Sequence, residues 1–259
     1  MRFIDLQGGR FRYDLDGPAE KPVLVLSNSL GTDLSMWAPQ LHPFARQFRV
    51  LRYDTRGHGE STATPGPYTI EQLGRDVIAL LDALKIERAN FCGISMGGAT
   101  GLWLATHAPQ RLRKLAACNT AARFGAPEVW NKRIELVRNG GMSAVAQGST
   151  ERWFTAAFRT RAPGTVEGMR QTLLRLSPAG YIACCEAIRD VDQRESIATI
   201  GVPTLIVAGT HDLPTPPADG RFLAERIPGA RYAELDAAHL SNIEASQAFT
   251  DAVLKFLTD

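Results

Sequence analysis

Short apolar runs alternate with helically spaced apolar positions over the first 120 residues. Residues 22–27 (PVLVLS) and 48–54 (FRVLRYD) are compact apolar runs that predict strands, and residues 10–15 predict an edge strand. Thr69, with Gln72 three positions on, completes a capping box, and Ile70, Leu73, Val77, Leu80, Leu81 and Leu84 follow at helical spacing. A further strand is predicted at 89–94 (ANFCGI), a helix at 97–107 stopped by Pro109, and a strand at 112–119. Strands alternating with helices of ten or more residues imply βαβ units and a mostly parallel, buried sheet.

The rhythm breaks between residues 121 and 190. Strands vanish, Trp130, Ile134 and Val137 share one helical stripe, and Pro127, Pro163 and Pro178 punctuate the segment. Alternation resumes with strands at 202–209 (VPTLIVAG) and 231–235, and a last helix begins at Ser246. The expected architecture is a single α/β domain whose core is residues 1–120 and 191–259. A helical cap, residues 121–190, is inserted before the last strands. No internal repeat or low-complexity segment interrupts it.

Composition narrows the options. Hydrophobic residues make up 44% of the 259 positions and charged residues 22%, which excludes a disordered or fibrous chain. The net charge of +2 gives no reason to expect a nucleic-acid or membrane partner. The four cysteines (Cys92, Cys118, Cys184, Cys185) form no CxxC pair or secreted disulfide framework. The N-terminus lacks the apolar stretch of a signal peptide, and no apolar run approaches the roughly 20 residues of a membrane span. A reducing, cytoplasmic location is the natural expectation. With no HExxH motif and no clustered ligands, neither a metal nor an organic cofactor is expected.

The strongest local chemistry is Gly93-Ile94-Ser95-Met96-Gly97, set between an apolar strand and a helix. Glycines two positions either side allow a tight strand-to-helix turn that lifts a serine hydroxyl above the sheet edge. A serine that merely caps the helix is the alternative, but it leaves the flanking glycines unexplained. A nucleophilic serine needs a base, and the base needs an acid that orients it. Of His42, His58, His107, His211 and His239, only His239 follows the last predicted strand, in the loop LDAAHLSN. His107 reads as a helix-end residue, His58 as part of a structural turn, and His211 as a loop neighbour of the acid. Asp212 ends the run VPTLIVAGTHD, at the carboxyl end of a strand, where parallel sheets place functional groups. The order Ser95, Asp212, His239 is that of α/β-hydrolase triads. An oxyanion hole would combine the backbone N–H groups of Met96 and of Leu30, in the loop Asn28-Ser29-Leu30-Gly31.

These elements together resemble the α/β-hydrolase superfamily over nearly the whole chain. Residues 54–61 (DTRGHGES) look like its DxRGxGxS turn. Where many members carry His-Gly before the oxyanion residue, this chain carries Asn28-Ser29. The segments SNSLGTDLSMW (27–37), CGISMGG (92–98), AGTHDLPTPP (208–217) and AHLSNIE (238–244) look like those of the 3-oxoadipate enol-lactonases. The resemblance implies hydrolysis of a small anionic enol-lactone to 3-oxoadipate, in the bacterial degradation of catechol and protocatechuate. The same triad would equally serve a generic esterase or cofactor-free perhydrolase, or persist in a ligand receptor built on this fold.

An anionic substrate calls for positive charge. Residues 121–190 hold ten Arg or Lys and six Asp or Glu, a balance of +4, while the rest of the chain balances to −2. Arg133, one helical turn from Trp130, is the candidate anchor for a carboxylate, with Trp130 as a pocket wall. The alternative for any one of these arginines is a solvated helix face.

Overall fold

The alternation of the first 120 residues supplies six strands of an eight-stranded sheet, and the last two come from residues 204–235. The computed structural model describes residues 2–259. Its strands are β1 (Arg2–Leu6), β2 (Gly9–Asp16), β3 (Val23–Ser27), β4 (Arg49–Tyr53), β5 (Ala89–Ile94), β6 (Leu112–Cys118), β7 (Thr204–Gly209) and β8 (Arg231–Leu235). The sheet order is β1-β2-β4-β3-β5-β6-β7-β8. Only the β1/β2 and β2/β4 pairs are antiparallel. The central strand β5, apolar but for Asn90, is buried at every position. That continuous burial is what a parallel strand covered on both faces requires.

The helices are α1 (Ala38–Ala45), α2 (Ile70–Ala83), α3 (Met96–His107), α4 (Pro127–Gly140), α5 (Ser143–Trp153), α6 (Ala156–Arg161), α7 (Pro163–Leu174), α8 (Pro178–Asp190), α9 (Pro217–Arg226), α10 (Ser241–Glu244) and α11 (Ser246–Thr258). Thr69 caps α2 by accepting the Gln72 N–H at 3.0 Å, and the helix buries Leu73, Val77, Leu80 and Leu81. Three prolines that punctuate the middle segment, Pro127, Pro163 and Pro178, stand at the first position of α4, α7 and α8. There the missing N–H costs no hydrogen bond and the fixed φ suits a helix. Five helices, α4 to α8, thus occupy residues 127–190 between β6 and β7.

One expectation is corrected. Residues 10–15 belong to β2, an interior strand, and the sheet edge is β1. β1 and β2 form a hairpin in which Leu6 pairs with Gly9. None of the five residues RFIDL is fully buried, and two are exposed, a weak signal beside the buried runs that follow. Among the described residues no helix is long and apolar enough to cross a membrane.

Candidate active site

The loops that matter here leave the carboxyl ends of β3, β5, β7 and β8, on one edge of the sheet. At the end of β5 the chain turns into α3 through Ser95, whose φ of 58° lies in the left-handed region. Non-glycine residues rarely hold that conformation, and it persists only where the surroundings impose it. Here the Ser95 N–H donates to the Cys118 carbonyl at 2.9 Å, and the Thr120 hydroxyl donates to the Ser95 carbonyl at 2.8 Å. Ser95 makes no side-chain cap to α3, which leaves its hydroxyl free for other chemistry.

The flanking glycines are required by contact. A Cβ on Gly93 would stand 2.2 Å from the Gly97 carbonyl oxygen, and one on Gly97 would stand 2.3 Å from the Ser27 carbonyl oxygen of β3. Both obstacles are backbone and cannot swing aside. Gly97→Ala is therefore expected to destabilise the fold by at least about 1–3 kcal/mol, the usual range for overpacking. The midpoint of urea unfolding checks this, and an unchanged midpoint would show that β3 and α3 can separate cheaply.

His239 follows β8, and its Nδ1 lies 2.9 Å from both carboxylate oxygens of the buried Asp212. The same carboxylate accepts the Thr215 N–H (3.0 Å), the Thr215 hydroxyl (2.8 Å) and the Asn119 side-chain amide (2.9 Å). Burial works to raise the Asp212 pKa. The charge and hydrogen bond of His239, with the Thr215 and Asn119 donors, outweigh it and hold the carboxyl below its ordinary value. The arrangement keeps a charged acceptor behind the imidazole and fixes the ring's orientation. The loop carrying His239 is tied down as well. The Leu240 N–H donates to the Trp153 carbonyl of α5 at 3.0 Å, and Glu244 accepts the Ala238 N–H at 3.0 Å.

A cavity of about 300 Å³ opens over these groups. The core supplies Ser29, Leu30, Ser95, Leu213 and His239 to its wall, and the inserted helices supply Trp130, Arg133, Arg152 and Trp153. Ser95, His239, Leu30, Trp130 and Arg133, separate in the sequence, therefore share one cavity. Asp212 reaches it through His239, and the Met96 N–H stands at the start of α3, where helix N–H groups lack intrahelical partners. Trp130 spends its indole N–H on the Phe124 carbonyl at 2.7 Å and offers the cavity an apolar surface. Arg133 donates to the Tyr181 hydroxyl and to Ser149 Oγ, each at 2.7 Å. Neither Arg133 nor Arg152 forms an ion pair with a carboxylate among the described residues. Burial, then the neighbouring Arg133 charge, push the Arg152 pKa down. Two like charges thus face an otherwise largely apolar pocket.

Sequence reasoning missed three of these residues. Arg152 carries no periodic signal that sets it apart from other arginines. Asn119 follows β6 with φ 44°, a conformation asparagine tolerates better than most residues, and only that preference hints at its use. Thr215 lies three residues beyond Asp212, the spacing of a side-chain-capped turn. His58, read as part of a structural turn, is buried and accepts the Gly31 N–H through Nε2 at 2.9 Å. His107 and His211 fall where expected. His107 ends α3, bonded to the Trp103 carbonyl, and His211 pairs with Asp236 at the surface.

Burial lowers the His58 pKa to about 4. Its neighbours are the Arg56 carbonyl, the Cys184 thiol, the Tyr181 ring and the more distant Asp33 charge. An unfolded histidine titrates near 6.5, so between about pH 6.5 and 4 the unfolded chain binds a proton that the folded one refuses. The contribution is complete above 6.5 and is lost as the pH falls toward 4. Urea midpoints at pH 7 and 5 should show this loss, and His58→Gln should show a shallower slope. Equal slopes would exclude His58 as its source.

Residues 22–246 match the profile of the alpha/beta hydrolase fold family. Over 250 residues, 96% of this chain and 94% of the relative, the sequence is 48% identical to 3-oxoadipate enol-lactonase 2 of Acinetobacter baylyi. It is 40% identical to 3-oxoadipate enol-lactonase 1 of the same organism, covering 94% of this chain and 91% of the relative. Among solved structures, the enol-lactonase of Burkholderia xenovorans LB400 superposes with a TM-score of 0.99 at 52% identity, covering 100% of both chains. The chain is a member of the α/β-hydrolase family and groups within it with the enol-lactonases.

Proposed function

We propose that this hydrolase opens 3-oxoadipate enol-lactone to 3-oxoadipate, with Ser95, His239 and Asp212 as a catalytic triad. The observation that carries the substrate class is the pair Arg133 and Arg152, facing one small pocket without carboxylate partners. The carboxylate of the lactone side arm supplies the missing counter-charge, and fork-shaped guanidinium groups suit it. A cavity of about 300 Å³ suits a five-membered ring and its short acid arm. The enol-lactonase relatives support the same reading.

In this mechanism Ser95 Oγ attacks the lactone carbonyl carbon while His239 Nε2 takes the hydroxyl proton. Asp212, bonded to Nδ1, stabilises the imidazolium. The N–H groups of Leu30 and Met96 bind the oxyanion. As the tetrahedral intermediate collapses, the ring C–O bond breaks, and the enolate that leaves stays tethered through the acyl-enzyme. It takes the proton back from His239 and tautomerises to the ketone. His239 then deprotonates a water that attacks the acyl carbon, and the proton returns to Ser95 as the acid departs.

The helices of residues 121–190 act as a cap over the core of residues 1–120 and 191–259, and they supply the carboxylate readers. The setting is the cytoplasm, in the breakdown of catechol and protocatechuate. Four unpaired, buried cysteines suit a reducing compartment. Steady-state hydrolysis of the enol-lactone beside a neutral short-chain ester tests the substrate class. A kcat/KM that favours the lactone supports the proposal, and faster turnover of the neutral ester refutes it in favour of a generic esterase.

A further inference from the structure

Residues 29–32 carry four successive backbone N–H groups beside the proposed nucleophile. The Ser29 N–H lies 3.4 Å from Met36 Sδ, the Gly31 N–H donates to His58 Nε2 at 2.9 Å, and the Thr32 N–H donates to the Ser29 carbonyl at 3.3 Å. The Leu30 N–H has no acceptor among the described residues. Its direction is set by its neighbours. The Ser29 carbonyl belongs to the same planar peptide as the Leu30 N–H and accepts both the N–H and the hydroxyl of Thr32. In a trans peptide the N–H then points the opposite way, away from Thr32. The next peptide plane, Leu30–Gly31, is held by His58 alone. Met36 and Thr32 belong to the loop's own segment, whereas His58 comes from the turn after β4 and ties the loop to a second part of the core.

We infer that His58 is a positioning residue for hydrolysis, whose neutral imidazole accepts the Gly31 N–H and thereby holds the Leu30 N–H where the oxyanion forms. The inference rests on the proposed oxyanion hole. Nε2 must keep its lone pair to accept that bond, so the ring proton sits on Nδ1, facing the Arg56 carbonyl at 3.5 Å and Cys184 Sγ at 3.8 Å. The ring is buried and packs against Tyr181, 6.3 Å between centroids. Protonation at Nε2 would turn the acceptor into a second donor aimed at the Gly31 N–H. The low pKa imposed by burial keeps that from happening near neutral pH. A backbone donor in an oxyanion hole acts only if it is aimed before the charge develops.

The test compares His58→Gln, His58→Asn and His58→Leu in the full-length protein. Glutamine can place an oxygen near the position of Nε2. Asparagine reaches only that of Nδ1, and leucine offers no acceptor. Turnover of p-nitrophenyl acetate and inhibition by benzeneboronic acid, which forms a tetrahedral adduct with a nucleophilic serine, are measured with Ser95→Ala as control. The Asn and Leu variants should lose about 10–100-fold in kcat with KM nearly unchanged, and boronate inhibition should weaken in parallel. The Gln variant should stay within a few-fold of wild type on both readouts. Should the Leu variant not fold, the Gln and Asn pair decides. Equal losses in Gln and Asn, or losses of thermal stability with kcat and boronate affinity intact, would overturn the inference. Ester turnover undiminished in Ser95→Ala would overturn the nucleophile assignment, and this inference with it.

Discussion

Ser95→Ala is expected to lower kcat on the lactone by about 10,000-fold or more, with little change in substrate affinity. Alanine removes the atom that forms the acyl bond in the proposed mechanism and leaves the pocket, Arg133 and Arg152 in place. The elbow should survive the change. Its conformation is held by the Ser95 backbone bonds to Cys118 and Thr120, and the side chain does not cap α3. His239→Ala should cost about as much, because residues of a triad act as one unit and their losses do not add. Single-turnover and steady-state rates with near-UV circular dichroism check both variants. A folded Ser95→Ala protein that still turns over the lactone within tenfold of wild type would rule out the covalent route.

The second large effect concerns charge. Arg133→Met and Arg152→Met should each reduce kcat/KM on the anionic lactone by about 10–150-fold, the worth of one charge-assisted hydrogen bond. Neutral short-chain esters, which have no acid arm to read, should change less than about threefold. Methionine keeps an apolar stem in the pocket and removes only the head group. The two variants also differ structurally. Arg133 satisfies Tyr181 and Ser149, so its loss leaves two buried hydroxyl partners to rearrange, whereas Arg152 has no such bonds. Because both face one pocket, the double variant should lose less than the sum of the single losses. Equal losses on lactone and neutral ester would mean that the arginines support the pocket and do not recognise the acid.

Much of the fold is legible in the chain because a buried parallel strand must be apolar at nearly every position. Residues 89–94 show it most clearly, and their predicted and observed limits coincide. The side-chain cap at Thr69 and the last helix beginning at Ser246 are likewise local chemistry with local consequences. β1 escaped because an edge strand half-exposed to water needs no distinctive run. The elbow is legible for a steric reason, since only glycine lets α3 close on β3 at Gly97.

The sequence by itself determined the alternation of strands and helices, the tight turn at Ser95 and the placing of Ser95, Asp212 and His239 after β5, β7 and β8. Each rests on neighbours along the chain or on burial demanded position by position. The tertiary structure alone decided who surrounds them. Asn119 meets Asp212 across 93 positions, and His58 meets Gly31 across 27. Arg152 turns from an ordinary helix charge into a partner of Arg133 in one pocket. A hydrogen bond or a charge pair is set by distance in space, and packing brings together residues whose spacing in sequence carries no trace of the contact.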